Sequence, residues 1–194
     1  MVEFKGFSEA SLLYADNYYL TERLEQIFKQ EQLELFRVFR HIIEKKEWMD
    51  SDKWKIKISG TYFEIGYHEE GKERFFIYLR FGPRDLANKN KEAGKENEGE
   101  RRSFEIALSC RAVSDLKRFR ERFFELAEPV LRKEFETGRE YYPTRSTGQA
   151  LVRRQAEYDL SNLLEVMETE VEKFIKLAEF AKRVWRETEG GNSI

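Results

Sequence analysis

The sequence predicts an α+β fold: a four-stranded antiparallel meander packed against long helices from both ends of the chain. Three observations carry this expectation. Residues 160–185 place Leu160, Leu164, Met167, Val171, Phe174, Ala178, Ala181 and Trp185 at alternating steps of four and three. At about 100° per residue, those steps keep the side chains on one helical stripe that must be buried. Residues 54–81 and 104–110 have a period of two instead, with short connections between the runs, as in hairpins with one face on a core. The chain has 194 residues, of which 14% are aromatic, enough for one domain spanning 1–194 with a sizeable core.

The first helical block is expected over 8–49. A short helix from Ser8 carries Leu12 and Leu13. A longer one, capped by Thr21, carries Leu24, Ile27, Phe28, Leu35, Val38, Phe39, Ile42 and Ile43 on its apolar stripe. Glu31 interrupts that stripe, so the seam opens to solvent there. Asp50, Ser51 and Asp52 close the block.

The sheet is expected over 54–110. Trp54, Ile56 and Ile58 alternate with lysines, and Gly60-Thr61 reverses the chain. Phe63, Ile65 and Tyr67 follow, and Glu69-Glu70-Gly71-Lys72 forms a hairpin loop into Phe75, Ile77, Leu79 and Phe81. The fourth strand carries Phe104, Ile106, Leu108 and Cys110. Between strands three and four, the charged stretch 83–102 has no aromatic residue and predicts a mobile loop.

A second helical block is expected over 114–188. Ser114 caps a helix bearing Leu116, Phe119, Phe123, Leu126, Val130 and Leu131. Pro129 removes a backbone donor and disfavours helical geometry at Glu128, so a kink or break is expected there. Gly138 ends this stretch, Arg139–Tyr142 suggests a short edge strand, and Pro143 stops it. The final helix is expected from Thr147-Gly148 to about Glu187. Taking Leu164 as a heptad a position puts Leu163, Leu177 and Val184 at g, where a two-stranded coil wants charge. That wide apolar face points to packing in a bundle or on the sheet, with the helix at 21–48 as the simplest partner.

Charged residues make up 37% of the chain, yet the net charge is only −2, so a polyanion site has to come from local clustering. The Lys, Glu and aromatic content resembles that of thermophile proteins. Cys110 is the single cysteine, which excludes an intrachain disulfide and favours a reducing compartment. No apolar run reaches the roughly 18 residues of a membrane span, and Met1-Val2-Glu3-Phe4-Lys5 opens no signal stretch. The expectation is a cytoplasmic protein with no membrane partner.

Two surfaces stand out. With the apolar set turned to the core, the opposite sheet face displays Lys55, Lys57, Tyr62, Phe76, Tyr78 and Arg80. Rings interleaved with cations suit a single-stranded nucleic acid, whose bases stack while its phosphates meet the charges. The second is the segment from Arg139 through Arg145 to Gly148, followed by Arg153 and Arg154. It places arginine forks near an expected helix N-terminus, which favours an anion.

Catalytic signals are sparse. His41 and His68 cannot make a histidine metal cluster by themselves, and Cys110 fits the alternation as a core residue. No phosphate-binding glycine loop or serine elbow appears, and no catalytic residue, metal or cofactor is assigned. Glu64 and Glu105 on one sheet face, near Lys55 or Lys57, could imitate a metal-nuclease site.

The order of helix, Trp-led strand, Tyr62-Phe63-Glu64-Ile65-Gly66, hairpin, Phe75-Phe76-Ile77-Tyr78-Leu79, Phe104-Glu105-Ile106-Ala107-Leu108-Ser109-Cys110 and a further helix resembles regions that follow the catalytic core in PD-(D/E)XK nuclease-superfamily defence proteins. The resemblance covers roughly residues 45–180. It lacks the superfamily's catalytic Asp and Glu-x-Lys strands, so it implies an accessory region working on or near DNA without cleaving it, and it carries over no active-site residue. The leading expectation is a non-catalytic binding or assembly module with nucleic acid as its ligand. The alternatives are a protein-interaction or oligomerisation factor, or an inhibitor, using the final helix, with a homodimer through either long helix also open, and a divergent metal-dependent nuclease.

Overall fold

A computed structural model describes residues 13, 15, 17–60, 62–86, 102–111, 116–134 and 150–190, with backbone alone for 128–134 and 189–190. Among these residues the chain is α+β, with a five-stranded antiparallel sheet whose strands lie in chain order. The strands are β1 (Trp54–Ser59), β2 (Tyr62–Glu69), β3 (Lys72–Arg80), β4 (Arg102–Cys110) and β5 (Ala150–Tyr158). The helices are α1 (Tyr18–Ile43), the single turn α2 (Pro83–Leu86), α3 (Leu116–Glu134) and α4 (Leu163–Gly190).

The hairpins follow from local chemistry. Gly60 takes a φ of +51° at the β1–β2 reversal, a value that costs a residue without Cβ little. Between β2 and β3, Glu70 and Gly71 have φ of 53° and 73°. Two positive values in succession define the tight turn whose twist matches that of the flanking strands.

One sheet face carries Phe63, Ile65, Phe75, Ile77, Leu79, Phe104, Ile106 and Leu108, all essentially inaccessible to solvent. The helices cover this face. α1 packs Phe36 and Phe39 against Phe63, with ring centroids 5.8 and 5.1 Å away. α3 brings Phe119 to 5.8 Å from Phe75, and Phe123 meets Phe180 of α4 at 5.8 Å. α4 lies along β3, β4 and β5, burying Met167, Val171, Phe174, Ala178, Ala181 and Trp185.

The wide face expected of the last helix is therefore used within the chain, with Leu177 and Val184 also buried. Its main partners are the sheet and α3. α1 touches α4 more lightly, and Lys46, just past the end of α1, pairs with Glu168 and, at 2.6 Å, with Glu172.

Several expectations change. The sheet has a fifth strand, and residues 150–158, expected as helix, form it. The final helix begins at Leu163 rather than near Thr147, which leaves Leu160 outside it and 55% exposed. Ala, Leu, Arg, Gln and Glu in 150–158 all favour helix locally, but pairing with β4 decides otherwise. The helix α3 continues through Pro129 to Glu134. Thr21 does not cap α1; its hydroxyl donates back to the Asn17 carbonyl at 3.1 Å from inside the first turn. The stretch 83–102 is structured at both ends, with α2 at Pro83–Leu86 and Arg102 in β4. Of the expected short helix from Ser8, Leu13 and Ala15 are described and are helical; its remainder, the middle of that stretch, and the segment containing Arg139 and Arg145 lie outside the described residues.

Candidate nucleic-acid interface

The strand register fixes what the other sheet face displays. One row across the sheet reads Lys57, Glu64, Tyr78, Ala107, Arg153. The next reads Ser59, Tyr62, Arg80, Glu105, Gln155, and on the other side come Lys55, Gly66, Phe76 and Ser109. The six residues nominated for this face share it, joined by Arg153, which was nominated with the arginine segment and is carried here by the unforeseen strand. Lys55, Lys57, Arg80 and Arg153 are exposed, and Tyr62 and Tyr78 are half-buried. Arg154, the next residue in β5, points the opposite way. It reaches Glu170 of α4 at 3.4 Å, and Lys173 holds the same carboxylate at 2.8 Å.

A bulge organises the centre of the face. Tyr67 pairs with Phe75 and His68 with Glu73, so Arg74 is an extra residue in β3. Its guanidinium turns to the helical side, 4.6 Å from the Trp185 ring centroid and 3.0 Å from Glu70. Glu73 stays on the outer side and lies over Gly66, where a Cβ would run into its carboxylate. Gly66 leaves room for that carboxylate, and a Cβ there would make the end of the Glu73 side chain shift.

Arg111, which was not nominated from sequence, ties this centre together. Its guanidinium sits 3.9 Å above the Phe76 ring, lies 3.3 Å from Glu64 and pairs with Glu73. Lys57 reaches Glu64 at 4.0 Å, and His68 lies 3.7 Å from Glu73. Phe76 is 5% exposed, so the face presents the cation stacked on it rather than its ring. The alternation that sends Ser103, Glu105, Ala107 and Ser109 outward also points to Arg111, one step past the strand's end. That was the available signal.

The acids of this face are engaged internally. Glu64 is 3% exposed and shares Arg111 with Glu73, while Glu105 accepts the Tyr78 hydroxyl at 3.1 Å. Burial, with the Glu105 carboxylate beside it, pushes the Tyr78 phenol up to about 12, so it is a neutral donor at physiological pH. Burial raises the Cys110 thiol to about 11, which removes the thiolate a nucleophile needs. Glu64 and Glu105 are separated by β3 and by two residues along the strands, about 12 Å backbone to backbone, and each already has a partner. Among the described residues, no group of three His, Cys, Asp or Glu could hold a metal ion, and no helix is long and apolar enough to cross a membrane. On the helical side, a groove of about 390 Å³ between α3 and α4 is lined by Arg118, Glu121, Arg122, Glu125, Glu187 and Thr188. Arg122 and Glu125, one turn apart on α3, pair along one wall at 2.8 Å.

No family model, curated protein or solved structure matches the chain.

Proposed function

We propose that the chain is a non-catalytic binding module whose ligand is single-stranded nucleic acid, laid across the outer face of the sheet. The observation that carries this reading is the grouping of Lys55, Lys57, Arg80 and Arg153 from three strands around Tyr62 and Tyr78. Glu64 and Glu73 pair with Arg111, Glu105 accepts the Tyr78 hydroxyl, and Glu157 lies at the far end of β5. The five cations of the face therefore exceed its four acids by one, with Arg80 and Arg153 turned to solvent. The tract from β1 to β5 crosses four strand spacings, about 19 Å. Phosphates meet the cations along it, while Tyr62 and Tyr78 offer ring surface to bases. The resemblance to accessory regions of nuclease-superfamily proteins belongs to this proposal, as a module held near DNA.

Fluorescence anisotropy with labelled single- and double-stranded oligonucleotides, at low and moderate salt with EDTA present, tests it. Binding should weaken as salt rises, because neutralised phosphates release counterions. For a single strand, Lys57→Ala, Arg80→Ala and Arg153→Ala together should flatten the log–log salt slope by about 2. No binding at micromolar protein in low salt would sink the proposal. So would binding that the triple variant leaves unchanged.

A further inference from the structure

The Arg111 guanidinium is held as a fixed plane at the centre of the outer sheet face. Its Cζ lies 3.9 Å from the Phe76 ring centroid. An edge-on group at that distance would push a nitrogen to about 2.6 Å from the ring centre, inside van der Waals contact. The guanidinium therefore lies plane against ring. Its terminal nitrogens are held at the rim, by Glu64 at 3.3 Å and by Glu73. Phe76 covers one plane and the glutamates occupy the nitrogens, so the accessible 36% of the side chain falls on the other plane and the stem. Charge is balanced here as well. Lys57 lies 4.0 Å from Glu64, so Arg111 and Lys57 stand against Glu64 and Glu73. A phosphate placed at this point would meet two carboxylates.

We propose that Arg111 is a stacking platform for a nucleobase, so that the ligand is a base-bearing single strand rather than any polyanion; the proposal rests on the nucleic-acid reading of this face. Guanidinium planes stack on bases as aromatic rings do. A free arginine loses side-chain freedom when it stacks. Here Phe76 and two carboxylates have already fixed the plane, so the ordering occurs on folding rather than on binding. The charge of Arg111 is answered by Glu64 and Glu73, which leaves the plane to attract by stacking and gives it no preference for phosphate. The Tyr78 ring lies 6.1 Å from that of Phe76, so the platform adjoins a second ring. Neighbouring bases of one strand then rest on Arg111 and Tyr78, while Arg80 and Arg153, exposed on the same face, meet the phosphates.

Fluorescence anisotropy separates base from phosphate recognition, using a labelled oligodeoxyadenylate and an equally long strand of abasic sites. The wild type should prefer the oligodeoxyadenylate. Arg111→Lys keeps the charge and removes the plane. It should weaken oligodeoxyadenylate binding about tenfold more than abasic binding, about 1.4 kcal/mol, as expected for one stacked base. Its salt slope should stay that of the wild type, unlike that of the Lys57, Arg80 and Arg153 triple variant. Circular dichroism checks that the variant is folded. A second readout needs no substitution. In the wild type, the Arg111 Nε–H proton resonance should move upfield, under the ring current of the base, on adding oligodeoxyadenylate but not the abasic strand. An unmoved resonance overturns the proposal, as does a loss that is equal for both ligands. If oligodeoxyadenylate binds with the triple variant's sensitivity yet Arg111→Lys spares the base preference, the platform alone falls. If neither ligand binds the wild type, the nucleic-acid reading falls with it.

Discussion

Arg111→Met should cost far more than an ordinary surface arginine. Its guanidinium is the main counter-charge for Glu64, which is 3% exposed, and it also pairs with Glu73 and stacks on Phe76. Removing one partner of a fully buried ion pair costs about 3–5 kcal/mol, because the other charge is stranded. The Arg111 side chain is 36% exposed, so water screens part of this, and Lys57 at 4.0 Å can move closer. Screening reduces the electrostatic part to about 2 kcal/mol, and the lost cation–ring contact adds about 0.5–1 kcal/mol. The total is about 2–3 kcal/mol. In urea unfolding with a slope of about 2–3 kcal/mol/M, the midpoint should fall by about 1 M. Adding Glu64→Gln removes the stranded charge and should recover about 1–2 kcal/mol, making the pair non-additive. The control is Arg37→Met, whose pairing with Glu34 at 3.3 Å is exposed on both sides and is worth less than about 1 kcal/mol. If Arg111→Met costs no more than Arg37→Met, or if Glu64→Gln adds to the loss, the centre of this face is not held as described.

Two further expectations rest on stability. Burial raises the Tyr78 and Tyr158 phenols from 10.0 to about 12, so the fold favours their neutral forms. Their contribution is complete below pH 10 and is lost as pH rises from 10 to 12. Allowing for their partial exposure, each is worth roughly 1–2 kcal/mol. Unfolding midpoints should drop across that window, and the drop should shrink in a Tyr78→Phe, Tyr158→Phe chain; an unchanged drop refutes the assignment. Cys110, raised from 9.0 to about 11, adds a separate loss between those values. The second expectation concerns residues 87–101. Arg102 Nε donates to the Leu86 carbonyl at 2.9 Å, and the Tyr158 hydroxyl donates to that of Asp85 at 2.8 Å, so the two ends already meet. Replacing 87–101 with a linker of about four glycines and serines should leave the fold cooperative and add about 1 kcal/mol through the shorter closure. Loss of a cooperative transition would show that the segment itself contributes to the core.

Periodicity made most of this arrangement legible. Four strands and their inward faces followed from alternation, because a half-buried strand cannot hide its two-residue period. The stripe of α4 followed in the same way from Met167 to Trp185. The fifth strand was hidden because Arg154 falls among its inward residues, where alternation calls for an apolar side chain, and because Leu151 is an extra residue that breaks the count. Only the partner Glu170, sixteen residues later on another element, explains an arginine there. The first half of α1 misled in the opposite sense. Leu24 and Ile27 look like core on spacing alone but lie before Gln32, where burial begins, and Val38 in the second half faces away from the side that buries Phe36 and Phe39. Arg111 was overlooked because it lies one residue beyond β4, although it carries on that strand's rhythm.

The strand order sets a timetable for synthesis. The strands β1, β2 and β3 are joined by tight turns and can zip together as they emerge from the ribosome. β4 joins after some twenty residues more. The strand β5 pairs with β4 only after about forty further residues have been made. Until then β4 is an open edge with unpaired amides and carbonyls, and its Phe104, Ile106 and Leu108 await α4, the last helix to appear. A nascent chain paused near residue 150 therefore offers a sticky ribbon to its neighbours. A translational pause between β4 and α4 should therefore lower the yield of folded protein more than a pause before β3.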